Sequence, residues 1–333
     1  MRVTPVDPRK VTDAELTAMH EVRDAARRHD EPDRRRPSRA ELAAELAAPW
    51  PGNRAAYWLS YDGVQPAGVT SLTMPGDANS AIGHVELDVV PAKRRLGGGR
   101  QMFAEVVRMA YSCSRGQLLS RLADDSASTC FAVAMGGLPV LHEIRSVLDL
   151  STVDGDALPE MLAGYDVVRL RGDTPEAMLT DVAALHAGMV DAPRGRSALA
   201  HQPHDVERVV AFDRMLAGRG LLQLRLMACD RATGQPAGIT YVIVPVTEPE
   251  RSEQGDTVVL PAHRGGGLGR ALKAEMLRWL RAELPEVGEL TTWVARDNAA
   301  MNAVNQALGY RKASAYTTWQ TTVDDVTAHL GMR

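Results

Sequence analysis

Apolar residues recur along this chain at two spacings, which predict two kinds of secondary structure. Short runs rich in β-branched residues predict strands, whereas apolar residues three and four positions apart predict helices. In the first 150 residues, strands are predicted at 3–6, 56–61, 67–74, 82–90 and 144–150, and helices at 13–28, 38–46 and 97–112. Strands and helices are mixed throughout, which predicts an α/β (α+β) fold.

The second half of the chain repeats this order after a polar segment at residues 151–158. Strands are predicted there at 165–170, 221–228, 237–244, 257–260 and 291–293, and helices at 174 onward, 205–216 and 272–284. A chain of 333 residues is long enough for two separate cores. We therefore predict two domains, residues 1–155 and 156–333.

Two sequence motifs occur twice, at a single offset of 170 residues. Gln-Pro-Ala-Gly-Val-Thr at 65–70 recurs as Gln-Pro-Ala-Gly-Ile-Thr at 235–240. The basic, glycine-rich segment Pro91–Arg100 recurs as Pro261–Arg270. Two unrelated motifs kept at the same offset indicate that the chain consists of two copies of one unit.

The glycine-rich segment His263–Arg270 lies between the apolar run 257–260 and the helix predicted at 272–284. A strand, a glycine-rich turn and a helix in this order direct backbone N–H groups and the positive end of a helix dipole at one point. The segment has no Gly-Lys-Ser/Thr, and it lies late in the repeat, so neither a P-loop nor a dinucleotide fingerprint fits. We predict a pyrophosphate-binding turn.

Composition and charge restrict the partners that this turn serves. The net charge of −4 gives no electrostatic reason to expect nucleic acid or an anionic membrane. No apolar run approaches the roughly 20 residues of a membrane span, and the N-terminus lacks the apolar core of a signal peptide. Cys113, Cys130 and Cys229 have no metal-ligand spacing and cannot all pair. A cytoplasmic protein without a metal is predicted.

Two motifs in the second copy resemble the signatures of the GNAT N-acetyltransferase superfamily. The first is Arg264-x-x-Gly267-x-Gly269, at the start of the third helix, and the second is Asn298–Tyr310, which ends in Leu-Gly-Tyr. With its duplication, the whole chain is similar to tandem GNAT proteins, of which mycothiol synthase is an example. The resemblance implies two tandem domains, each with a mixed, mostly antiparallel twisted sheet flanked by helices.

The resemblance also implies that acetyl-CoA is the co-substrate and that its pyrophosphate lies on the turn. A backbone N–H near Val259 and Leu260 is expected to polarise the thioester carbonyl, a contribution of about 3 kcal/mol. Asn298 resembles a coenzyme contact, although the position also fits a helix N-cap. The residues expected at the coenzyme are Val259, Leu260, Arg264, Gly265, Gly266, Gly267, Leu268, Gly269, Arg270, Asn298 and Asn305.

The attacking amine must be neutral, so a proton acceptor is expected. The resemblance to mycothiol synthase-like proteins places a catalytic glutamate at Glu253, and Asp256 is the alternative. Both residues also fit an acidic, solvated loop with Glu248 and Glu250, and a polar loop is expected at Thr247–Gln254 before the strand. His263 is expected to support the turn or the phosphates and not to act as the base.

The general acid departs from the family pattern. Many members have a tyrosine four residues before the glycine of the Leu-Gly-Tyr motif, where this chain has Asn305. Asparagine cannot protonate the leaving thiolate, although a thiolate with a pKa near ~8.5 can leave without a proton. Tyr241, Tyr310 and Tyr316 are the candidate substitutes.

The two copies differ at the positions that the resemblance assigns to the active site. The first copy keeps the turn at Arg94–Gly99 but has Gly83 where the second has Glu253. We therefore predict that the second copy transfers an acetyl group to a primary amine of a small molecule, and that the first supports it. A non-catalytic acyl-CoA sensor and a GNAT enzyme that uses another acyl-CoA are the alternatives. Monomer and homodimer both remain open.

Overall fold

The computed structural model describes residues 1–124, 126–191, 193–201 and 204–332. The chain forms two compact units. The first contains residues 1–142, 194–202 and 316–333, and the second contains residues 143–193 and 203–315. The domains predicted from the sequence, 1–155 and 156–333, describe the repeat, whereas each compact unit also contains a segment from the other copy.

The first copy of the repeat contains six strands and four α-helices within its described residues. These are β1 (Arg2–Val6), α1 (Asp13–Asp30), α2 (Arg39–Ala47), β2 (Arg54–Asp62), β3 (Gln65–Met74), β4 (Ile82–Val89), α3 (Gly98–Ser112), β5 (Gln117–Ala123), α4 (Ser126–Ala134) and β6 (Leu138–Asp149). Ser38 caps α2, because its Oγ accepts a hydrogen bond from the Glu41 amide at 3.2 Å.

The second copy repeats this order among the residues that the structure describes and adds one helix. Its elements are β7 (Tyr165–Arg171), α5 (Leu179–Ala187), α6 (Val206–Gly218), β8 (Leu221–Asp230), β9 (Pro236–Pro245), β10 (Arg251–Val259), α7 (Leu268–Glu283), β11 (Glu289–Ala295), α8 (Ala299–Ala307), β12 (Arg311–Thr322) and α9 (Val323–Leu330). The strand β10 begins at Arg251, so Glu253 and Asp256 lie on a strand and the expectation of a solvated loop up to residue 254 is wrong.

Each unit contains a mixed, mostly antiparallel sheet. In the first unit the strand order is β1-β2-β3-β4-β5-β12, and in the second it is β7-β8-β9-β10-β11-β6. Only the pairs β4–β5 and β10–β11 are parallel among the pairs described. The mixed α/β fold and the mostly antiparallel sheets predicted from the sequence are thus confirmed.

The closing strand of each unit comes from the other copy of the repeat. Residues 316–322 of β12 pair antiparallel with β5, from Tyr316 opposite Ala123 to Thr322 opposite Gln117. Residues 143–149 of β6 pair in the same way with β11. The sequence repeat is therefore completed in three dimensions by an exchange of strands.

Each sheet separates two apolar cores, and this decides which way the side chains near the turns point. In the first unit, Val85 packs with α3 on one face, whereas Val69 packs with α1 and α2 on the other. In the second unit, Leu226 packs with α7, and Met227, the next residue, packs with α5 and α6. Alternate residues of a strand therefore face different helices.

Candidate active site

The turn of the second unit has the geometry of an anion-binding site. β10 ends at Val259, a 3₁₀ turn covers Pro261–His263, and α7 begins at Leu268. Gly265 and Gly267 have φ angles of +83° and +88°, in the left-handed region that favours glycine. The N-terminus of α7 has no side-chain cap, so its first N–H groups are available to an anion.

Some residues of this turn hold its conformation, and others are exposed to solvent. Arg264 Nε donates to the carbonyl of Val259 at 2.8 Å and so ties the turn to the end of β10. Leu268 is buried in the core below α7, and only its backbone lies at the turn. The exposed members are Gly265, Gly266, Gly267 and Arg270, and Gly269 is half-buried.

His263 lies beside the turn and contacts a neighbouring strand. Its Nδ1 lies 3.0 Å from the hydroxyl of Tyr165 on β7, and the two rings meet edge to face with centroids 5.6 Å apart. This contact holds the segment that precedes the glycines. It agrees with the expected supporting role of His263.

The first unit has a turn of the same geometry. Arg94 Nε donates to the Val89 carbonyl at 3.1 Å, which reproduces the bond between Arg264 and Val259. Gly97 has a φ of +85° and begins α3 without a side-chain cap. Arg94 also forms two hydrogen bonds with Asp30, at 2.7 and 2.6 Å. The arginine of each copy thus holds its turn in place, a role that the sequence motif did not reveal.

Beside each turn, two parallel strands separate. β10 pairs with β11 only over Arg251–Glu253, and β4 pairs with β5 only from Ile82 to His84. A register shift between Gln254 and Thr257 adds a bulge to β10. The backbone beyond these points faces a gap between the strands, and a gap of this kind suits an extended substrate arm.

The two expected thioester contacts differ in their backbone bonds. The Leu260 amide donates to the Ala237 carbonyl at 2.9 Å, so the expectation that this N–H polarises a thioester is wrong. Successive N–H groups of a strand point to opposite sides. The Val259 amide therefore points toward β11, where the strands have separated, and it remains the candidate donor.

The two candidate bases are both exposed on β10 and differ in their neighbours. Glu253 is the last residue that pairs with β11, opposite Thr291, and its side chain is exposed. Asp256 lies in the bulge, and Tyr241 donates a long hydrogen bond of 3.4 Å to its Oδ2. Asp256 is exposed as well, yet desolvation by the surrounding atoms raises the pKa of its carboxyl, and the Tyr241 bond partly offsets this.

A buried polar network lies on the α5 and α6 side of this sheet. Arg225 on β8 donates to Asp213 at 2.6 Å and to Thr174 at 2.7 Å. His186 stacks on His204 at 5.5 Å between centroids and tilts against Tyr241 at 5.9 Å. Burial lowers the pKa of His186 to about 3, and the charges of Arg225 and His204 contribute, so His186 is neutral at pH 7. None of these residues except Tyr241 belonged to the predicted site.

The asparagines of the second GNAT-like motif are engaged within the protein. Asn298 caps α8 and accepts from the Met301 amide at 3.1 Å, which is the N-cap alternative. Asn305 is buried, and its Oδ1 accepts from Lys273 Nζ at 2.5 Å. Lys273 Nζ also lies 4.7 Å from the centre of the Tyr310 ring, and burial lowers the pKa of Lys273 to about 7.

The three candidate tyrosines occupy different places. Tyr310 is buried beside Lys273 of α7, and burial raises its pKa. Burial also raises the pKa of Tyr241, which contacts Asp256. Tyr316 belongs to the first unit, where its hydroxyl donates to Glu31. The expectation that Tyr316 supplies a proton in the second unit is therefore wrong.

Each unit contains a cavity among its described residues. The cavity of the second unit measures about 610 Å³, lies between α8 and the start of β12, and is lined by neither Glu253 nor the glycine turn. The cavity of the first unit measures about 700 Å³ and is lined by the turn Gly97–Gly99 and by the separated strands β4 and β5. Of these two cavities, only the one in the first unit joins a glycine turn to a gap between strands.

The part of the chain that the structure describes contains neither a candidate metal cluster nor a candidate membrane-spanning helix. No three His, Cys, Asp or Glu side chains there are grouped in a way that could hold a metal ion. None of the helices there is both long and apolar enough to cross a bilayer.

Part of the chain also matches the sequence model of a known protein family. The sequence model of the acetyltransferase (GNAT) family matches residues 202–310, a stretch that contains β10, the turn, α7 and α8. Residues 202–310 form a GNAT acetyltransferase domain. The comparison with curated protein sequences found no match.

The whole chain, and not only its GNAT domain, resembles solved structures. A tandem GNAT protein from the clavulanic acid biosynthesis pathway, solved without AcCoA, is 27% identical, with 97% of this chain and 98% of that chain covered and a TM-score of 0.83. A GCN5-related N-acetyltransferase from Sphaerobacter thermophilus is 16% identical, with 96% of both chains covered and a TM-score of 0.68. The tandem GNAT architecture predicted from the sequence is confirmed.

A third similar structure shows that the same fold occurs inside a larger enzyme. It is the glucosamine N-acetyltransferase region of a fungal multi-domain GH3 β-N-acetylglucosaminidase, with 13% identity and a TM-score of 0.69. The match covers 96% of this chain and 38% of that chain. At this identity the likeness concerns the fold alone.

Proposed function

We propose that this protein transfers the acetyl group of acetyl-CoA to a primary amine of a small molecule, and that the GNAT domain of the second copy carries the reaction. The observation that carries the proposal is the uncapped start of α7 behind two left-handed glycines, beside the gap between β10 and β11. A pyrophosphate fits this turn because the helix start presents N–H groups that no side chain caps, and Gly265 and Gly267 adopt the left-handed backbone that the turn requires.

Acetyl-CoA supplies an activated thioester, and the residues of the chain have to bind and orient it. Backbone N–H groups of Gly265–Gly269 would hold the pyrophosphate. The Val259 amide, which faces the strand gap, would donate to the thioester oxygen as negative charge develops on it. A donor of this kind is typically worth about 3 kcal/mol in the transition state.

Asp256 is the proposed proton acceptor, with Glu253 as the alternative. A base works best when its pKa lies near the working pH, and the pKa of Asp256 is raised by desolvation. Its Tyr241 contact orients the carboxylate on the bulge. Gly255 makes this arrangement possible, since a Cβ there would lie 2.0 Å from the Tyr241 ring.

The leaving thiolate receives no proton from Asn305 in this proposal. The Oδ1 of Asn305 already accepts a hydrogen bond from Lys273, and an amide cannot act as an acid. A thiol with a pKa near ~8.5 leaves as a thiolate without protonation. We also propose that the protein works in the cytoplasm, where its three free cysteines would stay reduced.

The test measures thiol release from acetyl-CoA with a panel of primary amines. Asp256→Asn is expected to lower kcat by about 10²- to 10⁴-fold while coenzyme binding is retained. Glu253→Gln is the matched control on the same strand and is expected to change kcat little. The reverse result would assign the proton to Glu253, and unchanged rates in both variants would refute a carboxylate base on β10.

The replacement of the family tyrosine by Asn305 favours a second candidate function. A protein that binds acyl-CoA as a sensor needs the turn but not an acid. Such a protein would bind acetyl-CoA and release no thiol with any amine of the panel. A panel of longer acyl-CoA donors distinguishes this outcome from a GNAT enzyme that uses another acyl group.

A further inference from the structure

The cavity of about 700 Å³ in the first unit has no part in the reaction proposed for the second. It extends from the turn at Gly97–Gly99 along the separated strands β4 and β5. Its walls also include Tyr316 and Trp319 of the exchanged strand β12. The cavity therefore joins an anion-binding turn to an open strand gap, which are the two features needed to hold an acyl-CoA.

A backbone hydrogen bond at the end of β4 has a counterpart at the end of β10 in the second unit. The Val90 amide donates to the Ala67 carbonyl at 2.9 Å, as the Leu260 amide does to Ala237. The preceding N–H, that of Val89, consequently points toward the gap between β4 and β5. The first unit thus keeps both the uncapped helix start and the candidate thioester donor.

Asp88 lies in the wall of this cavity, one residue before Val89. It pairs with Val69, whose side chain packs with α1 and α2, so Asp88 faces the same side. No hydrogen bond or salt bridge joins its carboxylate to another of the residues that the structure describes. Its counterpart in the second copy, Val258, is apolar, so this carboxylate is a property of the first copy alone.

Burial and the charged groups around Asp88 act on its pKa in opposite directions. Burial raises its pKa to about 6; Arg23 and Arg27 of α1 act to lower it, and Glu86 and Asp30 act to raise it. Arg23 is held by Glu45 and Glu86, each at 3.5 Å. Asp88 is therefore not needed to pair that arginine, and a purely structural role leaves its position on the cavity wall unexplained.

We propose that the first unit is a second, independent acyl-transfer site, in which Asp88 accepts the proton of the attacking amine. The inference rests on the coenzyme chemistry proposed for the turn of the second unit. The neutral amine nitrogen forms a bond to the acyl carbon, and the carbon–sulfur bond breaks with its electron pair on sulfur. The proton from nitrogen passes to the Asp88 carboxylate and then to the thiolate or to water, which regenerates the site.

A second carboxylate, that of Glu86, lies near Asp88 on β4. Glu86, two residues before Asp88 on the same face of β4, has a side chain that is 64% exposed. Its counterpart in the second copy is Asp256. Glu86 is paired with Arg23, so the acceptor is the primary amine of the proposed function, and Asp88 takes up the proton that the amine nitrogen loses as it attacks.

Two glycines provide matched variants that separate the units. Gly97 and Gly267 have φ angles of +85° and +88°, and no heavy atom lies within 4 Å of the Cβ position of either. Gly97→Val and Gly267→Val should therefore distort the two turns equally and leave the cores intact. Circular dichroism on both full-length variants checks that the fold is retained.

Calorimetric titration with acetyl-CoA then counts the sites. Two equivalents are expected for the unmodified chain, and one for each glycine variant. If the unmodified chain binds one equivalent that only Gly267→Val removes, the second site is refuted and the proposed function stands. If only Gly97→Val removes it, the assignment to the second unit fails while the first-unit site stands. If nothing binds, both fail.

Turnover in the Gly267→Val background tests the role of Asp88. Adding Asp88→Asn is expected to lower kcat at least 100-fold and to leave the remaining equivalent of acetyl-CoA bound. In the Gly267→Val protein that keeps Asp88, kcat should rise with pH through about 6, because only the ionised carboxylate accepts a proton. Asp88→Glu should keep part of the rate that Asp88→Asn loses. Binding without turnover on the amine panel, or an unchanged rate in Asp88→Asn, would overturn the catalytic assignment.

Discussion

Replacing Asp213 by alanine should destabilise the second unit more than most single changes. Asp213 and Arg225 pair at 2.6 Å with side chains that are 4% and 1% exposed. The carboxylate also accepts from the amide and the hydroxyl of Thr174, at 2.8 and 2.7 Å. These bonds join α6, β8 and the segment before α5. Their loss leaves a buried guanidinium with Thr174 as its sole described partner.

The size of the effect follows from the burial of the pair. Removing one partner of a buried ion pair costs about 3–5 kcal/mol, because the other charge stays buried without compensation. In a unit of this size, 1 kcal/mol corresponds to roughly 2–4 °C, so the melting temperature of the second unit should fall by about 6–20 °C. Exposed ion pairs such as Arg231–Asp166 would give less than about 1 kcal/mol.

Native-state hydrogen exchange on peptides of β8 and β9 measures this loss within the second unit alone. The double variant Asp213→Leu with Arg225→Met removes both charges and should recover most of the stability. It should keep a cost of about 1–3 kcal/mol, because the Thr174 amide loses its acceptor. A single variant that costs under about 1 kcal/mol, or a double variant as unstable as the single, would refute the reasoning.

Three further predictions concern the second unit. Lys273→Met should stabilise the second unit by a few kcal/mol at pH 7, because the pKa of Lys273 falls from 10.5 to about 7 on folding. In thermal melts, this added stability should disappear toward pH 10. The pKa of His186 is about 3 in the folded state and 6.5 in the unfolded state, so the free energy of unfolding should decrease as the pH drops below 6.5, by about 2 kcal/mol at pH 5. In urea titrations, His186→Phe should remove this pH dependence. Gly255→Ala places a Cβ against the Tyr241 ring and disturbs Asp256, and it should lower the free energy of unfolding by about 1–3 kcal/mol. Denaturant unfolding measures this change, and an unchanged midpoint would show that the ring moves freely.

The turns and most helices could be predicted from the sequence because their signals are local. Ser38 caps α2 through a residue three positions away, and the left-handed glycines of the turn leave a repeated pattern. The sequence pattern predicts too late a start for β10, because Thr247–Gln254 is polar although Gln254 and Ser252 are buried. Their burial depends on the strands beside them, which the local pattern does not contain.

The chemistry of single residues was harder to predict than the turns. Asn305 occupies a motif position that suggested the coenzyme, yet its partner is Lys273 on another helix, 32 residues away. Leu260 was expected to present an N–H that the sheet already uses. Asp88 carried no motif signal, because its pKa depends on groups from α1 that only folding brings near. Alternating polar residues at Gln223 and Arg225 on β8 were the one visible sign of a buried polar face.

The exchanged strand β12 has a consequence for the order in which the protein is made. β5 leaves the ribosome about 200 residues before the part of β12 that pairs with it. At synthesis rates of roughly 5–20 residues per second, the edge of β5 waits about 10–40 s for its partner. An apolar strand edge left open for so long is a template for mispairing with other nascent chains. Slow translation of the last third of the gene should therefore favour aggregation, and chaperones that cover β5 should relieve it.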